Sequence, residues 1–417
     1  MTKITSIKAR QVFDSRGNPT IETEITLNDG SNASSIVPSG ASTGKYEVFE
    51  LRDVENKKYL GKSVLKAIEK VNDEISKKLI GLSASDQKKI DQTLVELDGT
   101  EQKKRLGGNT ILSVSLAVCK ATAISKNIPL YKNIGDGNTL PLPMMNIING
   151  GLHANNSLKI QEFMIRPNKP KNFNDSINMC FLVIQQLKKL INKKNFSTNV
   201  GDEGGFAPSL SNNEEAIELI MESIYKTGFK PNADISICLD IAANELRKND
   251  KYSVSSSKYE TVEKTIKYYE NLVKKYPIKS IEDPFGEDDW NSWRDLTKLL
   301  DKKIQIVGDD LFTTNKRRLK KGIDCSAANT ILIKPNQIGT LTETVEVINL
   351  AHKNNFKTII SHRSGDTEDT FIADLAVGTN SSQIKSGSLA RSERVSKYNR
   401  LLRIEDELGN SAKMAKV

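Results

Sequence analysis

Long apolar runs are missing from this chain of 417 residues, and no stretch approaches the roughly eighteen apolar residues of a membrane span. The start, MTKITSIKARQVFDSRGNPT, lacks the apolar stretch of a secretory signal, so a cytoplasmic protein is expected. Cysteine is scarce too. Cys119, Cys180, Cys238 and Cys325 stand far apart with no CxxC spacing, which excludes a disulfide scaffold and leaves reduced packing residues. Aromatic residues make up 6% of the chain and do not interleave with its lysines, so the formal charge of +9 does not predict nucleic-acid binding. A solvated basic surface that helps attract an anionic substrate fits better. The densest basic cluster, Lys316, Arg317, Arg318, Lys320 and Lys321, is expected on a surface helix.

What is present divides into two rhythms. ITSIKARQVFDS, TIETEITLNDG and SNASSIVPSG alternate as strands do and are separated by Gly17-Asn18-Pro19 and Asn28-Asp29-Gly30, which predicts a three-stranded antiparallel meander. From Ser63 to about Lys126 the spacing turns helical, with Val64, Ile68, Val71, Ile75 and Leu79 on one face and a more apolar helix around Ile111, Val114, Leu116 and Val118. Strands followed by helices make a smaller α+β domain, residues 1–135, and Pro141 and Pro143 follow a plausible linker. The remaining residues, 136–417, form the larger domain. Beyond Asp234 short apolar runs end at Asp240, Glu282, Asp309, Lys334, His362 and Lys385, spaced 23 to 42 residues apart with helical stretches between them. That repeat favours a parallel βα barrel, with an open doubly wound sheet as the competing architecture.

In a barrel, side chains at the C-terminal strand ends meet in one mouth. Asp240, Glu282 and Asp309 crowded there would repel one another and lose their charge unless a cation neutralises them. An oxygen-only set without cysteine or histidine points to Mg2+. Taken singly, each Asp at a strand end is more simply a helix cap, and Asp283 and Asp310 are read as supporting or capping residues. A lysine beside a metal and a second ammonium has its pKa lowered, so Lys334 and Lys385 make proton abstraction plausible. In SHRSGDT, Arg363 offers a planar fork and Ser364 a hydroxyl for phosphate, next to His362. PSGASTG is a small-residue loop able to fold over a phosphate or metal, while GDEGGF sets Asp202 and Glu203 between glycines, where a carboxylate can serve as acid or base. His153 in NGGLHAN and Glu162 in QEFM are weaker candidates, and His352 is read as a surface residue.

RGNPT, SGASTG, NGGLHA, QEFMI, GDEGGFAP, SIEDPF, GDDL, KPNQIGT, SHRSGDT and GSLARSER, running from residue 16 to about 394, together resemble the enolase family in its order of motifs. The resemblance implies an enolase-type TIM barrel behind a smaller α+β domain. It implies a lyase of glycolysis and gluconeogenesis that interconverts 2-phospho-D-glycerate and phosphoenolpyruvate. By the same resemblance Asp240, Glu282 and Asp309 hold one Mg2+, and Ser42 helps hold a second that arrives with substrate. Lys334 matches the base at C2, and Glu203 the acid at the C3 hydroxyl. Lys385 would balance the substrate carboxylate, Arg363 and Ser364 would hold the phosphate, and His153, Glu162 and His362 would line the site. A homodimer, or an octamer built of dimers, is implied as well. Pro335 after the expected base, Asn155, Asp366 and the basic net charge depart from the usual pattern. Another lyase of the same superfamily, or a non-catalytic protein that keeps the fold, is the alternative.

Overall fold

The structure is a computed structural model that describes residues 2–40, 44–55 and 57–417. The expected meander is present: β1 (Ile4–Phe13), β2 (Pro19–Leu27) and β3 (Asn32–Ile36) pair antiparallel in that order. Ile21 and Ile25, on one face of the alternation in β2, are fully buried. The helical stretch is broken into residues 65–79, α1 (Gln87–Asp98) and α2 (Gly108–Ser125). Asp86 caps α1 by accepting from the Lys89 N–H, and Gly99 ends it at φ 69°. Because α2 is apolar or small on nearly every face, it serves as the domain's central helix, with Thr23 and Ser113 hydroxyls 2.7 Å apart where β2 crosses it. Gly108 makes its N-terminus possible, since a Cβ there would lie 2.2 Å from Val48 Cγ2.

Eight strands close the barrel: β4 (Leu142–Asn149), β5 (Glu162–Pro167), β6 (Ile235–Asp240), β7 (Ile278–Glu282), β8 (Gln305–Gly308), β9 (Thr330–Ile333), β10 (Lys357–Ser361) and β11 (Gln383–Lys385). The last joins back to the first. The barrel is not wholly parallel, as the repeat after Asp234 suggested: β5 runs antiparallel to both β4 and β6. The hairpin connection between β4 and β5 explains this, because a short link without a crossover helix can only reverse the chain. Helices α3 (Phe173–Lys193) and α4 (Asn213–Lys226) bring the chain from β5 to β6, and α5 (Val262–Lys275), α6 (Trp290–Leu300), α7 (Lys316–Asp324), α8 (Leu341–Lys353), α9 (Phe371–Gly378) and α10 (Ser392–Leu408) cover the rest. The basic cluster lies on α7, where Lys316, Arg317, Lys320 and Lys321 are exposed. Arg318 instead lies over the Tyr46 ring at 3.8 Å. All four cysteines are free.

Alternation along each strand divides the barrel lumen into layers. Met144, Met164, Cys238, Val307, Leu332 and Ile359 form a buried apolar plug in the middle. Two residues above it stand Glu162, Asp240, Asp309 and Lys334, and two residues below it Arg166 and Gln305.

Candidate active site

Three neighbouring strands put a row of carboxylates at the barrel's C-terminal mouth. The register aligns Glu162 with Asp240 and Asp240 with Glu282. Lys385, at the end of β11, points its ammonium into that row, 2.9 Å from Asp240 Oδ2, 2.9 Å from Glu282 Oε1 and 3.1 Å from Glu162 Oε1. Burial opposes the charge on Lys385, but Asp240, Glu162 and Glu282 outweigh it and hold its pKa well above the usual range. Asp309, one residue past β8, is bound by the Lys334 ammonium and by Gln337 Nε2 at 2.9 Å. Its backbone N–H and that of Asp310 donate to the two oxygens of Asp283, each at 2.9 Å, the supporting role foreseen for Asp283.

Burial pushes the Lys334 pKa down, but Asp309 in direct contact prevails and raises it; the lowering expected of this lysine depended on a metal ion beside it. Pro335 does not disturb this lysine. It occupies the first position of a one-turn helix, Pro335–Ile338, where a backbone N–H has no partner to lose.

Across Lys385 lies a second group. Glu203 Oε1 is 3.3 Å from His362 Nε2 and 3.8 Å from His153 Nδ1, and His153 Nδ1 is 3.6 Å from Glu162 Oε1. The Arg394 guanidinium, fully buried, lies 2.6 Å from His362 Nδ1 and can only donate, so that nitrogen accepts and the ring proton sits on Nε2, facing Glu203. Burial pushes His362 down to about 4, so the ring is neutral. Burial works against ionisation of Glu203 as well, but the His362 and His153 rings and Arg394 hold it well below the usual carboxylate range. Glu162 is pushed the other way, by burial and then by Glu203.

Arg363 is buried and paired with Glu47 from the N-terminal part, Nη1 to Oε2 at 2.9 Å and Nη2 to Oε1 at 3.3 Å. Arg363 and Ser364 line the same cavity as His153, Glu162, Glu203, Asp240, Asp309, Lys334, His362 and Lys385. Ser42 lies outside the described residues, but the chain on either side of it is anchored at the mouth: Gly40 O accepts from Arg16, and Gly44 N–H donates to Glu47. Glu47, Gln337, Asn146 and Arg394 are functional neighbours that sequence reading did not single out. Asn146 Nδ2 lies 3.2 Å from Glu203 Oε2, and Arg394 also donates to the carbonyls of Arg363, Ser364 and Asp202. KPNQIGT and GSLARSER contain two of them, yet spacing alone gave them no role.

The donor set fits a hard cation. Glu162 Oε2 and Glu282 Oε2 are buried without a hydrogen-bond partner. Burial, with Asp240 next in weight, pushes Glu282 well above the usual carboxylate range. Two trios could offer one ligand atom each within 4.8 Å of one another: His153, Glu162 and Glu203, and Asp283, Asp309 and Asp310. The expected trio Asp240, Glu282 and Asp309 is not among the groups drawn that closely among the described residues; Lys385 contacts Asp240 and Glu282, and Lys334 contacts Asp309.

Comparison with known sequences decides the family. The model of the enolase C-terminal TIM barrel domain matches residues 137–417, and that of the enolase N-terminal domain matches residues 4–134. The chain belongs to the enolase family. A relative named enolase, from Pelagibacter ubique (strain HTCC1062), is 62% identical over 419 aligned positions that cover all of both chains. Membership of the enolase family implies a metal cofactor and a lyase activity. No helix among the described residues is long and apolar enough to cross a membrane.

Proposed function

We propose that this chain catalyses the reversible dehydration of 2-phospho-D-glycerate to phosphoenolpyruvate with two Mg2+ ions, as a homodimer in which each chain folds into two domains, residues 1–135 and 136–417. The observation that carries the reading is the meeting of three charged groups in one cavity: Lys334 on Asp309, Lys385 among carboxylates, and Glu203 between two histidines. A proton next to a carboxylate is a very weak acid, because removing it leaves a dianion that needs concentrated positive charge. Bound Mg2+, held by Asp240, Glu282 and Asp309 with Ser42 for the second ion, supplies most of that charge.

The remaining work falls to side chains. Lys334 takes the C2 proton once its ammonium has left Asp309 and given up its own proton. Lys385 adds positive charge beside the substrate carboxylate. Arg363, whose planar fork already holds Glu47 in two-point fashion, and Ser364 receive the phosphate. Glu203, ionised in this state, takes a proton from water in the hydration direction and returns it to the C3 hydroxyl in the other. His362, His153 and Arg394 set its proton affinity, and Glu162 lies beside His153 in the same group. The superfamily alternative fits less well, since a dehydratase acting on unphosphorylated acids has no use for Arg363 and Ser364.

The ultraviolet assay for phosphoenolpyruvate tests substrate and metal together. Formation from 2-phosphoglycerate with Mg2+, abolished by chelator, is expected. Well-folded protein that forms none would sink the proposal. Light scattering tests the dimer, for which a monomer at assay concentration is the opposing result.

A further inference from the structure

The opposite end of the barrel carries a second, unassigned site. Because β5 runs antiparallel, its last inward-facing residue, Arg166, lies at the N-terminal end of the lumen beneath the apolar plug. Arg166 as a residue is 4% exposed. Nη1 donates to Gln305 Oε1 at 2.5 Å and to Gln383 Oε1 at 2.7 Å, while Nε has no partner. Gln383 Nε2 next to it is also buried and unsatisfied. Among the described residues no carboxylate pairs with Arg166. Water can satisfy its hydrogen bonds but not its charge, and a buried cation without a counter-charge is costly.

Arg166 forms part of the floor of an open basin of about 540 Å³. Lys169, Lys279, Lys302, Lys303 and Lys357 surround it, and none of them forms an ion pair with a described carboxylate. Asp301 is the single acidic side chain in the lining, and the chain end at Val417 reaches the rim. Lys334 and Lys385 in the catalytic cavity are matched by carboxylates, whereas Lys169, Lys302, Lys303 and Lys357 stand exposed around the basin. The volume lies in the ordinary range for a small-molecule site, roughly 300–1,000 Å³, and is far larger than one phosphate needs. Convergent ammonium groups over a guanidinium fork suit several phosphates in a row.

We propose that this basin is a binding site for a small polyphosphate anion, separate from the catalytic cavity. The strand between the two, from Gln305 to Asp309, spans about 13 Å at the usual rise per residue. Arg166 contacts the innermost phosphate and the lysines the outer ones.

Calorimetric titration of the full-length protein with inorganic tripolyphosphate, in metal-free buffer, tests this. The double variant Lys303→Ala/Lys357→Ala is expected to weaken binding at least tenfold while turnover of 2-phosphoglycerate stays within twofold. Lys320→Ala/Lys321→Ala, which removes the same charge from α7, is expected to change binding less than twofold. Equal weakening by both double variants would reduce the effect to diffuse attraction by a basic surface and overturn the site, as would unchanged binding in the first. Orthophosphate or citrate binding as tightly as tripolyphosphate would overturn the polyphosphate assignment. Tripolyphosphate is also expected to raise the Tm of the native protein and not that of Arg166→Met. An equal rise in that variant removes Arg166 from the site, and if it does not fold the lysine variants decide alone.

Discussion

The two ends of one barrel treat charge in opposite ways. At the C-terminal mouth every buried ammonium sits on carboxylates: Lys385 on Asp240, Glu282 and Glu162, and Lys334 on Asp309. At the N-terminal end Arg166 is held by two glutamine oxygens, and the lysines around it form no ion pair among the described residues. The same strands supply both ends, two residues on either side of the apolar plug. The difference teaches that the fold delivers side chains to both mouths, and that pairing decides what each mouth can bind. An excess of carboxylate calls for cations, and an excess of unpaired cation calls for an anion.

The largest expected contrast is in turnover. Lys334→Ala should lower kcat by about 10²–10⁴, the usual contribution of a positioned acid or base, with folding and metal binding retained. Lys357→Ala at the other end should leave kcat within twofold in the same phosphoenolpyruvate assay. Equal loss in both would erase the distinction between the ends. Next in size is stability without metal. Lys385→Met strands three buried carboxylates, and urea unfolding in chelator should show a loss of about 3–5 kcal/mol, partly recovered with Mg2+. Arg166→Met strands none, so its loss should be clearly smaller; a loss of the same size would mean that Arg166 is neutralised inside the chain after all.

A third contrast is with pH. His362 is buried and neutral, lowered to about 4 from the ordinary 6.5, so between those values the unfolded chain binds a proton that the folded chain does not. Its share of the stability is complete above pH 6.5 and lost as pH falls toward 4, with a slope of up to about 1.4 kcal/mol per pH unit. His362→Asn should flatten that part of the curve of unfolding free energy against pH. A native slope that survives in His362→Asn would place the titrating group elsewhere. The smallest effect belongs to the exposed rim: Lys303→Ala/Lys357→Ala should shift unfolding free energy by no more than about 0.5 kcal/mol.

Much of this was legible in the residues. Alternation marked the meander, and apolar runs ending in polar residues located six of the eight barrel strands. β4 escaped because it is buried on both sides, which leaves no alternation to read in LPMMNIIN. β5 escaped with it, and so did the reversal of its direction. The strand-end residues Asp240, Glu282, Asp309, Lys334, His362 and Lys385 do meet in one mouth, since each follows or ends a strand of the same barrel. What residue type could not show is that Asp309 contacts the Lys334 ammonium directly and raises its pKa.

By itself the sequence determined the meander, six of the eight barrel strands, the layer of chemistry at the strand ends and, through motif order, the family, because these depend on local period and on residue type. Tertiary structure alone decided that Glu47 would reach across to Arg363, that Arg394 would fix the tautomer of His362, and that Arg166 would face the far end of the lumen without a counter-charge. Those facts depend on which strands lie side by side and in which direction they run, and no local pattern carries that information.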